Sequence, residues 1–316
     1  MLQVINAIVP IFLVIIVGHM LRRSSVFGDD SWTAIGNICY YVLFPCMLAK
    51  TLYSANLTGL PFYKLSIALV GGTLISGALL IASRRLYTGV FGMTNASFTS
   101  IFQGVTRWNG FMGIAIITGF YEGDDRDYAL TIIALVIAIM VPLINIFNVT
   151  VLAMWGDVKD QKIGFKTVMT GIATNPFISA CIVGVSLNLL PIEVPKVLFD
   201  GVSIISGGAL GLSLMAIGAG LRFSEITSTQ VAIFFGVFYR LLGMPLIMFA
   251  LTIALGIDGI EQTVAVIASA VPTASASYVL AQKMGGDATL MANIIALQVL
   301  MAGFTLPAVI LLAEAF

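Results

Sequence analysis

The sequence predicts an all-α polytopic membrane protein: ten transmembrane helices in two inverted five-helix repeats, with the fourth and ninth helices broken. Three observations predict it. Hydrophobic residues make up 59% of the 316 residues and charged residues only 9%, against roughly 45–50% and about 25% in soluble domains. Apolar stretches near the ~20 residues needed to cross a bilayer recur from end to end. Interruptions rich in small and polar residues fall at matching places in the fourth and ninth of them.

Charges, Gly/Pro clusters and Asn/Asp/Ser runs divide the chain into segments at 2–21, 32–54, 61–83, 94–120, 127–154, 166–190, 197–221, 229–256, 259–283 and 288–312. The first, MLQVINAIVPIFLVIIVGHMLRR, lacks the basic start and small-residue cleavage site of a signal peptide and reads as a retained helix. Arg22 and Arg23 close it, Lys64 follows the second segment, and Arg84 and Arg85 follow the third. Arg126 and the acidic group Glu122, Asp124, Asp125 and Asp127 follow the fourth. Lys159, Lys162 and Lys166 lie after the fifth, Lys196 after the sixth, Arg222 after the seventh and Lys283 after the ninth. Lys50, at the end of the second, is ambiguous. The odd connections carry the basic excess, which places them in the cytoplasm and both termini outside an inner (plasma) membrane.

Composition excludes soluble enzyme classes, and a net charge of zero gives no sign of a nucleic-acid partner. Cys39, Cys46 and Cys181 lie in apolar segments without metal-ligand spacing and read as packing residues. An intramembrane enzyme lacks support: there is no His-Glu-x-x-His motif, one histidine in all, and no evident base for Ser269, Ser275 or Ser277. No cofactor is implied.

Five helices per half is an odd number, so similar halves must be inverted. VLFPCMLAKTLYSANL (42–57) and GLSLMAIGAGLRFSEI (211–226) are weakly alike and occupy the second place in each half. The interruptions are QGVTRWNG around Arg107 and SAVPTASAS around Pro272, each about thirteen residues into its segment. Gly104, Gly110 and Pro272 could simply kink lipid-facing helices. Polar side chains gather at both places, however, which a kink does not need.

Arginine at the centre of a membrane helix costs at least about 2.5–3.5 kcal/mol. Arg107 therefore needs an internal partner, and the fifteen acidic residues fall in connections or near segment ends. Two partners fit, the carbonyls ending the first half-helix and a substrate anion bound through its fork, and both readings can hold together. Asn109, Thr273 and Ser275 are candidate caps or ligands at the N-terminal ends of the second half-helices. The candidate substrate site is Thr106, Arg107, Asn109, Gly110, Pro272, Thr273, Ser275 and Ser277. Arg240 is either a brace or a second contact, with no break adjoining it. His19 reads as interfacial.

TRWNGFMGIAI, NPFISACIVGVSLNLLP, GLSLMAIGAGL and VPTASASYVLAQKMGGDATLMA, in that order and spacing, resemble the auxin efflux carrier family. Its bacterial members include proposed malonate and malate permeases, and its plant members the PIN carriers. The resemblance implies a crossover fold in which segments 1–2 and 6–7 (1–60 and 161–225) form a scaffold and dimer interface. Segments 3–5 and 8–10 (61–160 and 226–316) would form a transport domain moving as an elevator, with substrate at the crossing of segments 4 and 9. Pro272 matches the crossover proline, whereas the break in segment 4 uses Arg107, Asn109 and Gly110 instead. Gly207 and Gly211 form a small-xxx-small pair suited to a dimer face or to packing within the chain.

The expected function is uncoupled, voltage-driven efflux of a small organic anion, a carboxylate, because no segment holds a central carboxylate for ion coupling. The alternative is a proton- or sodium-coupled dicarboxylate importer, with Asn293 and Gln298 as ion ligands. A channel or a non-transporting sensor are rivals of other classes.

Overall fold

The computed structural model describes residues 2–24, 26–55, 62–157, 174–190, 192–221 and 230–314. Their regular structure is helical, with no strand among them, and six helical stretches are long and apolar enough to cross a membrane. In chain order the helices are α1 (Leu2–Arg23), α2 (Asp29–Ile38), α3 (Phe44–Ser54), α4 (Phe62–Ala82), α5 (Asn95–Thr106), α6 (Gly110–Phe120), α7 (Gly123–Trp155) and α8 (Pro176–Leu189). Then come α9 (Lys196–Gly207), α10 (Ala209–Gly220), α11 (Gln230–Phe238), α12 (Met244–Ala254), α13 (Gly259–Ala270), α14 (Ala276–Lys283) and α15 (Ala288–Glu314). Lys159, Lys162, Lys166, Arg222, the start of the sixth segment, and the ends of the two similar stretches at Leu57 and Ile226 lie outside the described residues.

Local chemistry fixes several boundaries. Thr94 Oγ1 accepts the Ser97 N–H at 3.0 Å and starts α5, and Asn175 Oδ1 accepts the Phe177 N–H at 2.9 Å beside Pro176 to start α8. π turns at Cys39–Leu43 and Tyr239–Gly243 precede Pro45 and Pro245. Proline brings no N–H, and the helix loosens before it: Phe44 and Met244 donate back to the Cys39 and Tyr239 carbonyls. A third π turn, Leu86–Val90, carries the third segment past Arg84 and Arg85, where the sequence suggested a connection. Arg84 has partners within the fold, donating to Asn95 Oδ1 at 2.7 Å and lying over the Trp155 ring.

The chain forms two compact units. The first comprises 1–60, 111–141 and 170–220. In it α3 packs on α8 and α1 on α10. Asn188 Nδ2 donates to the Tyr53 and Ala55 carbonyls, each at 2.8 Å, and the Phe44 and Phe111 rings stack with centroids 3.8 Å apart. The backbones of α1 and α10 nearly touch, because a Cβ on Gly18 would overlap the Met215 carbonyl and one on Gly218 the Ile15 carbonyl. Gly207 and Gly211 have no such neighbour among the described residues. Close packing of α1 on α10 therefore falls on Gly18 and Gly218.

The second unit comprises 61–110, 142–169 and 221–316. Its core surrounds α5, whose Phe98, Ile101, Phe102 and Val105 cluster with Leu290, Met291 and Ile294 of α15 and with Ala232 and Ile233 of α11. Asp287 ties the start of α5 to that of α15. Its Oδ1 accepts the Leu290 N–H and its Oδ2 the Ser97 hydroxyl, both at 2.9 Å.

Overlap with backbone cannot be relieved by a rotamer change. Gly218→Val is expected to lower stability by about 1–3 kcal/mol or more. Gly36→Ala, at a position open to its surroundings, should stay within about 0.5 kcal/mol of the parent. Thermal unfolding in detergent compares them.

Candidate functional site

Both interruptions lie in the second unit, where they meet. Residues 107–109 separate α5 from α6, and 271–275 separate α13 from α14. A helix end leaves its last carbonyls without the N–H groups of a further turn, and in an apolar interior each bare carbonyl costs about 1–3 kcal/mol.

The Ala268 carbonyl would ordinarily take the N–H of residue 272, but Pro272 has none. Arg240 Nη2 takes its place at 3.1 Å. The Val105 carbonyl would take the Asn109 N–H, which instead donates to the Pro272 carbonyl at 2.8 Å. Arg240 Nη1 donates to Val105 at 3.0 Å, and Nε to the Val271 carbonyl at 2.7 Å. The Gly104 carbonyl accepts the Thr273 hydroxyl at 2.5 Å and Gln298 Nε2 at 2.8 Å. Gln298 also donates to Gly236 at 2.9 Å and accepts the Thr273 N–H at 2.7 Å. Backbone, guanidinium, hydroxyl and amide thus lace the two breaks together.

Arg240 is 1% exposed and holds carbonyls at the ends of both α5 and α13. In sequence it adjoins neither break; in space it touches both. Bracing is accordingly the role its bonds describe. A cation there also faces two negative helix ends, which favours it.

Arg107 is half-buried, and its Nη2 donates to Asn145 Oδ1 at 2.9 Å. One turn on in α7, Asn148 Oδ1 lies 3.0 Å from the Thr106 hydroxyl, while its Nδ2 donates to the Ile144 carbonyl at 2.8 Å. Asn109, Pro272, Thr273 and Ser277 are buried, Gly110 is half-buried at the start of α6, and Ser275 is exposed. Ser275 occupies the N-cap position of α14 without a side-chain capping bond. Asn293 is buried on α15.

The sequence reading missed three residues. Asn145 and Asn148, three apart on one face of α7, were concealed in a long apolar run. Gln103 is fully buried one turn before Arg107, and its amide oxygen and nitrogen find no hydrogen-bond partner among the described residues; the same holds for the Ser277 hydroxyl. A glutamine four residues before a midspan arginine was the available signal.

Apolar helices with two breaks stitched around a buried arginine define a multi-pass membrane protein with a polar centre. Residues 159–310 match the model of the family described as Membrane transport protein. The chain is 24% identical over 310 residues to an "Uncharacterized transporter" of Methanothermobacter thermautotrophicus, covering 96% of each chain. It is 22% identical over 283 residues to the uncharacterized transporter YfdV of Escherichia coli strain K12, covering 88% of each. An uncharacterized transporter of Methanocaldococcus jannaschii is 20% identical over 300 residues, 91% of this chain and 92% of that one. Residues 159–310 thus resemble this family of membrane transporters, and over most of its length the chain resembles proteins named as transporters.

Arg240→Met would leave three carbonyls bare, and a loss of at least about 3 kcal/mol is expected. Gln298→Leu should also destabilise. Arg107→Ala, at a half-buried position, should change stability least of the three, as read by thermal unfolding in detergent.

Proposed function

We propose that this transporter is a carrier for a small organic anion with a carboxylate, bound where the two helix breaks meet. One observation carries the reading. Two arginines, Arg107 and Arg240, bond at the junction, yet the sequence holds no acidic residue between 62 and 121, 128 and 156, 230 and 257, or 262 and 286. The spanning stretches that build the junction are thus cationic and contain no carboxylate of their own.

Arg240 braces the breaks and adds field; Arg107 meets the substrate, with Asn145 orienting its planar fork for a carboxylate. The N-terminal ends of α6 and α14 begin on the same breaks and favour an anion. Thr106, Asn109, Gly110, Pro272, Thr273, Ser275 and Ser277 complete the site. Gln103 and Ser277 supply buried polar atoms for the rest of the ligand.

Transport follows an elevator-type alternating-access cycle in a homodimer, within a ten-helix inverted repeat whose fourth and ninth helices cross. The pairing of α1 with α10 and of α3 with α8 supports the repeat: it joins the first segment to the seventh and the second to the sixth, a pattern unchanged when the halves are exchanged. The open faces of Gly207 and Gly211 support a dimer contact there. Scaffold and mobile parts follow the segment division given above, although residues 111–141 cluster with the first and second segments. The basic excess in odd connections supports an inner-membrane location with both termini outside.

Without a central carboxylate to carry a proton or sodium ion, efflux runs on voltage. A monoanion leaving a negative interior gains about 2.3 kcal/mol per 100 mV, equivalent to roughly a fortyfold concentration ratio. For the coupled importer, Gln298 is a poor cation ligand because its oxygen already accepts the Thr273 N–H.

The test is uptake of labelled mono- and dicarboxylates into proteoliposomes under potassium-diffusion potentials, without sodium or pH gradients. Saturable uptake following an inside-positive potential is expected, abolished in a folded Arg107→Ala protein. Uptake only with sodium or a proton gradient would overturn uncoupled transport, and wild-type affinity in Arg107→Ala would overturn the site.

A further inference from the structure

Between α11, the π turn after it and α15, all within the second unit, lies a groove of about 410 Å³. Ile233, Phe234, Val237 and Phe238 form one wall, Leu297 and Met301 the other, and the π-turn residues Leu241 and Leu242 its far end. Phe234 and Phe238 stack with centroids 5.3 Å apart, which makes the first wall flat. Gln230 and Thr305 are its polar lining residues.

The dimensions identify an occupant. Both helices belong to stretches able to cross the membrane, so the groove opens toward hydrocarbon. Gln230 is the first residue of α11 and the polar start of an otherwise apolar run. From Gln230 to Leu242 the axis advances about 18 Å at 1.5 Å per residue, close to the ~15 Å of one leaflet's hydrocarbon, half of the ~30 Å core. Water would find almost no hydrogen-bond partners along these walls. A transmembrane helix of a second copy, about 10–12 Å across and spanning both leaflets, is too long and far too bulky for a groove of about 410 Å³. An acyl chain fits both the volume and the length, and its polar linkage would lie beside the Gln230 amide.

We propose that this groove binds one acyl chain of a membrane phospholipid. Leu241 and Leu242 share their π turn with Arg240, so the bound chain packs against the turn that holds both helix breaks.

Phe234→Trp places an indole in the groove. Phe304→Trp places one on α15 at a position 75% exposed, where it meets passing lipid. In bilayers containing increasing fractions of a phospholipid with brominated chains, bromine quenches an indole on contact, read as the difference from the parent protein. Quenching at Phe234→Trp is expected to saturate at a several-fold lower brominated fraction than at Phe304→Trp. Superimposable curves, or no quenching at Phe234→Trp, would overturn the proposal. In native mass spectrometry the parent should retain one phospholipid that Val237→Trp, which fills the groove, does not. Equal retention would count against the site, as would a disulfide joining two copies through Phe234→Cys.

Discussion

The constraint on which the junction depends is the bond set of one side chain. Arg240 reaches carbonyls at the ends of two different helices, and each party makes the other tolerable. A helix that stops inside hydrocarbon leaves oxygens without donors, and a guanidinium inside hydrocarbon lacks water and a counter-charge. Joined, the oxygens gain charge-assisted bonds and the cation gains the negative ends of two helix dipoles. The other stitches follow from this placement. Asn109 can give its N–H to Pro272 because Arg240 serves Val105 in its stead.

Around that junction the polar residues divide their labour by exposure. Arg240, Thr273 and Gln298 are fully buried and bonded to backbone; such groups give rigidity. Arg107 is half-buried and bonded to a neutral amide, Asn145, a partner that orients a guanidinium without neutralising it. The geometry separates a buried arginine that braces helix ends from a half-buried one held by an amide, although both lie in apolar runs. Identical chemistry thus meets two different surroundings, one of backbone carbonyls and one with a side-chain amide.

Packing elsewhere follows simpler rules. Glycine opposite backbone lets α1 and α10 approach, and an asparagine, Asn188, clamps the end of α3. At the start of α5, Asp287 uses both carboxylate oxygens to cap one helix and hold another. Such contacts give the second unit a fixed start from which α5 and α15 run together. The burial of α5 from Ser97 to Thr106 is the result.

Residue chemistry read along one chain determined a good deal. Composition determined the membrane class, and apolar length with charge punctuation determined where helices run, because lipid admits few other backbone arrangements. The breaks at Arg107 and Pro272 were legible because polar residues in midspan need a reason. Partnership was not legible. The meeting of Arg240 with both breaks, 135 and 31 residues away for Val105 and Val271, depends on how α11, its π turn and α15 pack on α5. Asn145, Asn148 and Gln103 likewise acquire meaning only through what they face. Sequence sets which groups must find partners; the tertiary fold decides which partners they find, because hydrogen bonding acts over a few ångströms of space and not along the chain.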